Sequence, residues 1–496
     1  MTAAACQAPA AQSTGSHGTP DPGATLRVAY YRAAPTLDPH STPTTADEPL
    51  LWPVYDRLIH ANEKGEAEPG LATSWKFTSE GLELTLRKGV TFHDGTAFNA
   101  EAVKANIERA KSLASSAVKA DLDSVTEAEV IDSSHVLLRT KVTDVALPLI
   151  LSARAGAMIS PKAFSRSDLA QRPAGTGPYK VASLNAGVSI TYERYDNYWQ
   201  KSSSRPARIE LKVITDAATR LNALKAGQVD VANIDPNQVS EAKALPNLRV
   251  AVAKDVKVTD LQVNPAHVPA MADVRVRRAV NFAIDRKAIV DGVLFGQGEP
   301  TVQPFPQGYF AHNDAVDDAY PHDSEKATSL LREAGYGKGF TFTVLLGGSP
   351  SVSEAEALQG QLAEVGITMR IERVQGNKGV ERFWRDKSAA ALLVPWGGRP
   401  DPSVTIKSWF ASNGVSNPGN VTSDTVTRLL GRSATERDED TRAKLLQELS
   451  AELVNHPLSV IPLYHPFTAY GHSSRVSSPP LPMTGGIEFQ DITVSK

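Results

Sequence analysis

Hydrophobic and polar residues alternate over several short stretches of the chain, which is typical of strands that bury one face. The clearest example is 82–87, LELTLR, where Leu82, Leu84 and Leu86 alternate perfectly with polar residues. The same pattern, or a short apolar run, predicts strands at 26–31, 72–78, 136–138, 189–193, 209–213, 229–232 and 341–346. Strands therefore dominate the first half of the predicted fold.

Apolar residues at helical spacing predict helices, and these become longer after residue 273. In the first half, the pattern predicts a helix at 50–59 and another after the capping residue Asn99. In the second half, it predicts helices at 276–284, 323–335, 353–366 and 445–456. Strand 341–346, helix 353–366 and strand 367–374 follow one another as in a βαβ unit, so we expect an α/β protein.

The stretch 391–410, ALLVPWGGRPDPSVTIKSWF, joins a buried strand to a loop that carries polar side chains. Three apolar residues form the strand, and the glycines and prolines after Trp396 leave no room for a helix. Arg399 lies beside these glycines and would lose part of its hydration, which is unfavourable unless an anion faces it. Two partners stay open for Arg399: the nearby Asp401, or a carboxylate or phosphate of a ligand.

The length and composition describe a folded body of two or three domains. The 496 residues are 41% hydrophobic and 22% charged, which are ordinary values for globular proteins. The net charge of -3 gives no electrostatic reason to expect nucleic acid or an anionic membrane surface as a partner. No segment comes near the ~20 apolar residues of a membrane span.

Cys6 is the single cysteine, which excludes an intramolecular disulfide and a thiolate metal cluster. Three alanines precede it, and 7–23 is rich in Ala, Pro, Ser, Thr and Gly without helical or strand periodicity. Small residues before a cysteine and a flexible tether after it resemble the lipidation site of a bacterial lipoprotein. The sequence thus predicts a disordered tether at 1–23 with lipidation at Cys6; the other interpretation makes Cys6 an ordinary residue of a disordered tail.

The usual sequence signatures of enzymes are missing from the chain. It contains no phosphate-binding loop, no G-x-S-x-G elbow, no H-E-x-x-H motif and no usable cysteine nucleophile. Asp94 fits a turn better than a catalytic role, and His456, His465 and His472 lack a metal-ligand spacing. We therefore expect no enzymatic activity, no cofactor and no metal site.

Several motifs resemble the extracytoplasmic solute-binding proteins of ABC importers, in the class that binds peptides, nickel and opines (family 5, cluster C). They are PGLATSW at 69–75, LTLRKGVTFHDGTAFNAEAVKA at 84–105, GTGPY at 175–179, YDNYW at 195–199, ALKAGQVD at 223–230, VNFAIDRKAIVDGVLFG at 280–296 and LLREAGY at 330–336. The resemblance runs from about residue 26 to the C-terminus.

This resemblance implies an α/β, two-lobed periplasmic-binding-protein-like fold with an extra α+β subdomain inserted in lobe I. Lobe I would comprise 24–55, 176–265 and 471–496, the inserted subdomain 56–175, and lobe II 266–470. The lobes would close over a ligand by a hinge motion, and the protein would deliver the ligand to an ABC permease driven by an ATPase. A monomer outside the bacterial cytoplasm is expected, either lipid-anchored at the cell surface or periplasmic.

The resemblance also indicates where the site departs from that of dipeptide-binding members. Those proteins hold the ligand ammonium with an aspartate after Trp-x-Gly, where this chain has Arg399. They hold the ligand carboxylate with an arginine before a helix, where this chain reads Leu345-Leu346-Gly347-Gly348. Because a reversed charge in a closed cleft disfavours an ammonium group, we expect a ligand with an anionic or hydrogen-bond-accepting group at Arg399.

The ligand-binding residues implied in this way are Tyr30, Tyr31, Arg32, Thr45, Gly347, Gly348, Trp396, Gly397, Gly398, Arg399 and Asp401. Tyr31 and Trp396 would supply apolar walls, and opine-like, sugar-conjugated or acidic peptide-derived solutes would fit. Three alternatives stay open: an oligopeptide held through its backbone, a metal chelate held by His and Arg residues, and a hydrolase acting through Asp94 or Asp401.

Overall fold

The structure is a computed structural model that describes residues 18–42, 44–347, 352–375, 378–483 and 486–496. Cys6 and Gly348, two of the residues singled out above, lie outside these described residues. The described chain forms a mixed α/β fold with a twelve-stranded sheet, a four-stranded sheet and a two-stranded sheet.

The strands of the described residues are numbered in chain order. They are β1 (Thr25–Tyr30), β2 (Ile59–Ala61), β3 (Ala67–Pro69), β4 (Ala72–Phe77), β5 (Gly81–Leu86), β6 (Val125–Asp132), β7 (His135–Thr140), β8 (Tyr179–Asn185), β9 (Ser189–Arg194), β10 (Arg208–Val213), β11 (Val231–Ile234), β12 (Leu248–Lys254), β13 (Val258–Val263), β14 (Gly298–Pro300), β15 (Phe340–Leu346), β16 (Ile367–Glu372), β17 (Ala391–Trp396) and β18 (Val460–Ser473).

The helices are numbered in the same way. They are α1 (Glu48–Leu51), α2 (Ala100–Ser112), α3 (Leu147–Ile150), α4 (Ala217–Lys225), α5 (Val239–Lys243), α6 (Val274–Ala283), α7 (Arg286–Val293), α8 (Ser324–Glu333), α9 (Val352–Glu364), α10 (Lys378–Val380), α11 (Pro402–Phe410), α12 (Asp424–Thr435) and α13 (Glu439–Asn455). Two short 3-10 turns, Thr45–Asp47 and Ala120–Leu122, matter for the site described below. None of the described helices is long and apolar enough to cross a membrane.

The predicted βαβ unit of the second half is confirmed. Strands β15 and β16 are parallel and joined by α9, and β17 pairs with β15 on its other side, also in parallel. The apolar faces of β15, β16 and α9 enter one core together with α6 and α8. The periodicity of the sequence predicted this region well because each element buries one regular face.

The helix predicted at 50–59 is wrong beyond its first turn. Helix α1 ends at Leu51, and Pro53 has no N–H group with which to continue the helical hydrogen bonds. The carbonyls of Pro53 and Val54 instead accept hydrogen bonds from Tyr179 N and Gly177 N, each at 2.8 Å. This segment is therefore held by the distant GTGPY motif, which local periodicity cannot reveal.

The twelve-stranded sheet runs through both lobes, and β18 connects its two halves. The first part of β18 pairs with β13, and its last part pairs with β11 and β12. The chain also crosses between the halves in the short link from β12 to β13, because β13 pairs with β17. This pairing groups β13 with the strands of lobe II, whereas the predicted limit at 265 would leave it in lobe I. Within the residues that the structure describes, two strand connections thus join the lobes.

The region predicted as an inserted subdomain has a sheet and a core of its own. Strands β4, β5, β7 and β6 form the four-stranded antiparallel sheet, with α2 packed against it. Buried residues such as Leu84, Phe92, Ile107 and Leu138 form its core, which is separate from the cores of the two lobes. The exact limits of the three parts stay predictions.

Candidate ligand-binding site

The loop after β17 approaches the opposite lobe, and two glycines make this possible. Gly398 has a φ of 71°, and a Cβ atom there would lie 2.4 Å from Val256 Cγ2. A Cβ atom on Gly397 would lie 2.8 Å from Thr45 Oγ1 in lobe I. Because glycine tolerates both the left-handed backbone and the close approach, the loop of lobe II can meet the turn Thr45–Asp47.

Asp401 is a structural residue of lobe II. It lies at the N-cap of α11, where its carboxylate accepts hydrogen bonds from Ser403 N at 2.9 Å and from Ser403 Oγ at 2.5 Å. Arg442 of α13 donates to both carboxylate oxygens at 2.8 Å, and Asp401 is fully buried. The predicted local pair between Arg399 and Asp401 therefore does not form. The assignment of Asp401 to the ligand contacts is also corrected, because the buried Arg442 already binds both of its carboxylate oxygens.

Arg399 points toward the inserted subdomain instead. Its Nε lies 3.8 Å from Asp121 Oδ1, and its guanidinium carbon lies 5.3 Å from the centre of the Trp396 ring. Its one hydrogen bond within the described chain goes from Nη1 to the carbonyl of the neighbouring Gly398, at 3.3 Å. The Nε atom is buried and has no hydrogen-bond partner among the described residues. Arg399 thus keeps N–H groups that could donate hydrogen bonds to an anion.

Arg399 lines a cavity between lobe II and the rest of the molecule. The cavity has a volume of about 30 Å³. Lobe I contributes Thr45 and Glu48 to its wall, and the predicted inserted subdomain contributes Arg57, Asp121 and Arg154 among others. Three guanidinium groups and two carboxylates therefore meet in one enclosed space between the lobes.

Burial governs the electrostatics of this cavity. It raises the pKa of Glu48 to about 7, against the opposing effect of Arg154, Arg57 and Arg399, whose positive charges favour the carboxylate. Arg154 is also buried, which lowers its pKa, although Glu48 counteracts this effect. Arg57 donates a hydrogen bond of 2.7 Å to Glu488, whose charge keeps the pKa of Arg57 raised despite burial. The cavity thus combines charges of both signs in a poorly hydrated place.

A second cavity, of about 240 Å³, lies where the connecting strands pass between the lobes. Its walls include Tyr30 and Tyr31 at the end of β1, together with Phe467 and Tyr470 of β18. Tyr30 donates a hydrogen bond of 2.8 Å to the carbonyl of Ala46, which also lines this cavity. Because Thr45 lines the first cavity and Ala46 the second, the two cavities flank the same turn of lobe I.

The other predicted site residues make contacts within the protein. Trp396 is buried between Trp384 and Trp409, with ring centres 5.6 and 5.7 Å away, and is not among the residues that line either cavity. Arg32 pairs with Asp47, with 3.1 Å between Nε and Oδ1. Gly347 extends the sheet through a hydrogen bond of 2.9 Å to the carbonyl of Leu393. The structure thus brings Thr45, Gly398 and Arg399 together and separates them from Tyr30 and Tyr31.

Four charged residues of the first cavity were not foreseen from the sequence: Glu48, Arg57, Asp121 and Arg154. They belong to no sequence motif that indicates a binding site, and they lie far from Arg399 along the chain. A buried acid at the start of a very apolar segment, as at Glu48, was the one available signal, and it is a weak one.

His312, Asp314 and Asp317 are the described side chains whose ligand atoms lie close enough, within 4.8 Å, to hold a metal ion. Their contacts explain the grouping without an ion. His312 Nδ1 donates to the carbonyl of Phe305 at 2.9 Å, and its Nε2 lies 3.2 Å from Asp317 Oδ2. The amide of Gln303 donates to Asp317 Oδ1 at 2.5 Å. His312 and Asp317 line a different pocket from the one that Arg399 lines.

Comparison with known proteins shows the family to which the chain is similar. The family described as "Bacterial extracellular solute-binding proteins, family 5 Middle" matches residues 66–417. The glutathione-binding protein GsiB of Salmonella typhimurium is 29% identical over 386 residues, which cover 74% of this chain and 75% of that protein. GsiB of Escherichia coli O157:H7 is 28% identical with the same coverage.

Solved structures agree in fold. The periplasmic binding protein DppA of Helicobacter pylori, in complex with the peptide STSA, superposes with a TM-score of 0.83 and 23% identity, covering 96% of this chain and 98% of that chain. AgaA of A. tumefaciens R10, in complex with agropinic acid, superposes with a TM-score of 0.81 and 22% identity, covering 95% and 99%. The fold is therefore that of the periplasmic binding proteins, as the sequence motifs implied.

Proposed function

Because this chain belongs to the bacterial extracellular solute-binding proteins of family 5, which supply ABC importers, we propose that its solute carries an anionic group that binds Arg399. The solute would be peptide-like, opine-like or a sugar conjugate. The protein would bind it between the lobes, close, and deliver it to a permease, without any chemical step. The relatives compared above are named as binding proteins, which supports a role without catalysis.

The observation that carries this proposal is the unused hydrogen-bonding capacity of Arg399. Its Nε is buried without a partner among the described residues, and its single hydrogen bond, at 3.3 Å, goes to its own neighbour. A guanidinium in such a place is stabilised strongly when a carboxylate or phosphate meets it. The local candidate for that role, Asp401, is already bound on both oxygens by Arg442.

The size of the cavity bears on how the solute reaches Arg399. A space of about 30 Å³ is close to that of a single water molecule, so a peptide-like solute fits only after the lobes move apart. The two connections between the lobes, β18 and the link from β12 to β13, are the natural hinge. We propose that the solute binds the open form and that Arg399 meets it as the lobes close.

Glutathione is the first probe, because related proteins are named as glutathione-binding and because this tripeptide carries two carboxylates. Isothermal titration calorimetry would compare the unchanged protein with the Arg399→Gln variant. Loss of one charged hydrogen-bond donor should weaken binding about tenfold or more. Arg385→Gln is the matched control, because Arg385 is an exposed arginine of lobe II that pairs with Asp386 and Glu381.

Equal affinity of the unchanged protein and the Arg399→Gln variant would refute the role of Arg399, and would favour an oligopeptide held through its backbone. If glutathione does not bind, native mass spectrometry of freshly purified protein supplies the probe. A co-purified anionic solute should then be lost from Arg399→Gln and kept by Arg385→Gln.

We further propose that Cys6 carries a lipid that anchors the protein outside the cytoplasm. The support is the run of small residues before Cys6 and the polar tether after it. Mass spectrometry of the protein from its natural membrane should find the lipid mass on the Cys6 peptide. An unmodified Cys6 in that material would contradict the anchor.

A further inference from the structure

His312, Asp314 and Asp317 form a group in lobe II that the proposed solute site does not use. The contacts of this group hold it in place without an ion, but they leave one ring nitrogen of His312 without a suitable partner. His312 is only 7% exposed, so water compensates its ring atoms poorly. Its Nδ1 lies 2.9 Å from the carbonyl oxygen of Phe305. Because a carbonyl can only accept, Nδ1 carries the hydrogen, and Nε2 of the neutral ring presents a lone pair.

The lone pair of His312 Nε2 faces acceptors. Asp317 Oδ2 lies 3.2 Å from Nε2, and Asp314 Oδ1 lies 3.3 Å from it. The amide nitrogen of Gln303 lies 3.4 Å away, but its two hydrogens go to the carbonyl of Asn313 at 3.0 Å and to Asp317 Oδ1 at 2.5 Å. The N–H of Asn313 donates to Gln303 Oε1 at 2.9 Å, which fixes the orientation of the amide. With both aspartates ionised, none of these three described neighbours has a hydrogen left for Nε2.

A cation among the three side chains would turn this repulsion into attraction. A proton on Nε2 would make a charge-assisted hydrogen bond of roughly 2.7–2.9 Å to a carboxylate. Two ligand atoms that bind a metal ion at about 2.1 Å with tetrahedral geometry lie about 3.4 Å apart. The observed separations of 3.2 and 3.3 Å are closer to the metal geometry. The ligand atoms of all three residues also lie within 4.8 Å of one another, as a shared ion requires.

The surroundings of the group match those of a metal site. A metal-binding histidine usually donates its other ring N–H to a carbonyl or a carboxylate, as Nδ1 of His312 does. Ligating carboxylates are themselves hydrogen-bonded, as Asp317 is by Gln303. Asn313 Nδ2 donates to the carbonyl of Gln447 in α13 at 3.0 Å, which anchors the loop that carries the ligands. The ligand atoms are therefore preorganised.

An acidic pocket gives solvent access to the group. The pocket has a volume of about 460 Å³, and His312 and Asp317 line it. Its described wall also carries three acids and one lysine: Asp291, Glu299, Asp318 and Lys287. The lysine forms an ion pair with Asp291. This excess of carboxylates attracts a cation, and the open side leaves room for water as a further ligand.

We propose that His312 Nε2 and the carboxylates of Asp314 and Asp317 bind a divalent transition-metal ion of the zinc type. One imidazole and two carboxylates suit Zn²⁺ or Co²⁺ better than Ca²⁺ or Mg²⁺, which prefer oxygen ligands alone. The ion would tie the segment 312–317 together and stabilise lobe II. The site departs from the sequence-based expectation of no metal site, which rested on the spacing of other histidines. None of its three ligands lines the cavity of Arg399, so it is independent of the solute site.

Zn²⁺ binding to the Cys6→Ser protein tests the site, because this change removes the single cysteine as a rival ligand. The protein is first treated with EDTA and dialysed. Isothermal titration calorimetry should then show Zn²⁺ binding, and the protein should unfold at a higher temperature when Zn²⁺ is present. If no Zn²⁺ binds, a proton rather than a metal ion compensates Nε2, and the proposal is overturned.

Variants in the same background locate the ion. His312→Gln and Asp314→Asn should each weaken Zn²⁺ binding more than about tenfold, because even the loss of an outer partner of a metal ligand has an effect of this size. Asp314→Asn decides the question if the buried His312→Gln variant folds poorly, since Asp314 is exposed. His135→Gln is the matched control, because His135 forms a surface pair with Asp132 at 2.8 Å.

The control should bind Zn²⁺ as tightly as the parent protein. Unchanged affinity in Asp314→Asn and in folded His312→Gln, or loss of binding in His135→Gln, would place the ion elsewhere and refute the proposal. Arg399→Gln should also keep Zn²⁺ binding, which separates this site from the solute cleft. Loss of Zn²⁺ binding in Arg399→Gln would instead indicate a metal chelate held in the cleft.

Discussion

Lobe II contains two arginines near one loop, and they are used in opposite ways. Arg442 is buried and donates hydrogen bonds of 2.8 Å to both carboxylate oxygens of Asp401. Asp401 also caps α11. Arg399, two and one residues after the two glycines of the loop, faces the cleft with its nearest carboxylate at 3.8 Å. Arg442 therefore uses its hydrogen bonds within the protein, whereas Arg399 keeps N–H groups that a ligand could bind.

This difference separates a structural ion pair from a binding group. A buried pair with complete hydrogen bonds stabilises the fold only as a unit, because either member alone would be an uncompensated charge. Arg399, Glu48 and Asp121 line the same cavity, and the described side chains of these three residues form no hydrogen bond with one another.

Arg442→Met tests the structural side of the comparison and should have the largest effect. The change leaves Asp401 buried without its cation, which should lower the free energy of unfolding by about 3–5 kcal/mol. Urea unfolding followed by circular dichroism would measure it. Arg428→Met, at an exposed position of α12, is the matched control. A loss close to that of the control would mean that the pair does not hold α11 and α13 together.

Glu48→Gln tests the cleft side through its pH dependence. Burial raises the pKa of Glu48 from 4.5 to about 7, so the folded state keeps a proton that the unfolded chain loses between these values. The stability that this group contributes is therefore present at pH 4 and falls as the pH rises to 8. The variant stays neutral, so its stability relative to the unchanged protein should increase by roughly 3 kcal/mol across this range.

Urea unfolding at several pH values between 4 and 8 measures this difference, and the subtraction removes the contribution of other titrating groups. Glu63→Gln, at an exposed glutamate, is the control, and the Glu48→Gln difference should exceed the one that it gives. A difference for Glu48→Gln no larger than that of the control would show that the Glu48 carboxylate is better compensated than its contacts indicate.

Arg399→Gln should have the smallest effect on stability. The side chain is about a quarter exposed and its ion pair with Asp121 is long, so the free energy of unfolding should change by less than about 1 kcal/mol. The same denaturation experiment measures it, in the absence of ligand. A loss as large as that of Arg442→Met would erase the distinction between the two arginines.

The regular elements of lobe II were predictable from the sequence because their periodicity is local. Strand β15, helix α9 and strand β16 bury one face each, and their apolar residues recur at the matching spacing. The segment after Leu51 was not predictable, since Pro53 and Val54 are paired with Tyr179 and Gly177 from a distant part of the chain.

The candidate site likewise has one part that the sequence could predict and another that it could not. Arg399 could be singled out because it stands beside two glycines after a core strand, and the motifs implied the family and its two-lobed fold. The partner of Asp401 could not be foreseen, because Arg442 lies on a helix that reaches Asp401 only in the folded lobe. Trp396 could be recognised as an aromatic residue of the loop, but only its neighbours Trp384 and Trp409 show that it packs inside lobe II.

The motifs and the hydrophobic periodicity were enough to predict the fold class, the family and an arginine at the loop after β17. The charges that face that arginine could be identified only in the folded chain, because Glu48 and Asp121 come from parts of the chain that meet it across the cleft. The physical reason is that hydrophobic periodicity acts over a few residues, whereas charge pairing and burial depend on which surfaces the closed lobes bring together.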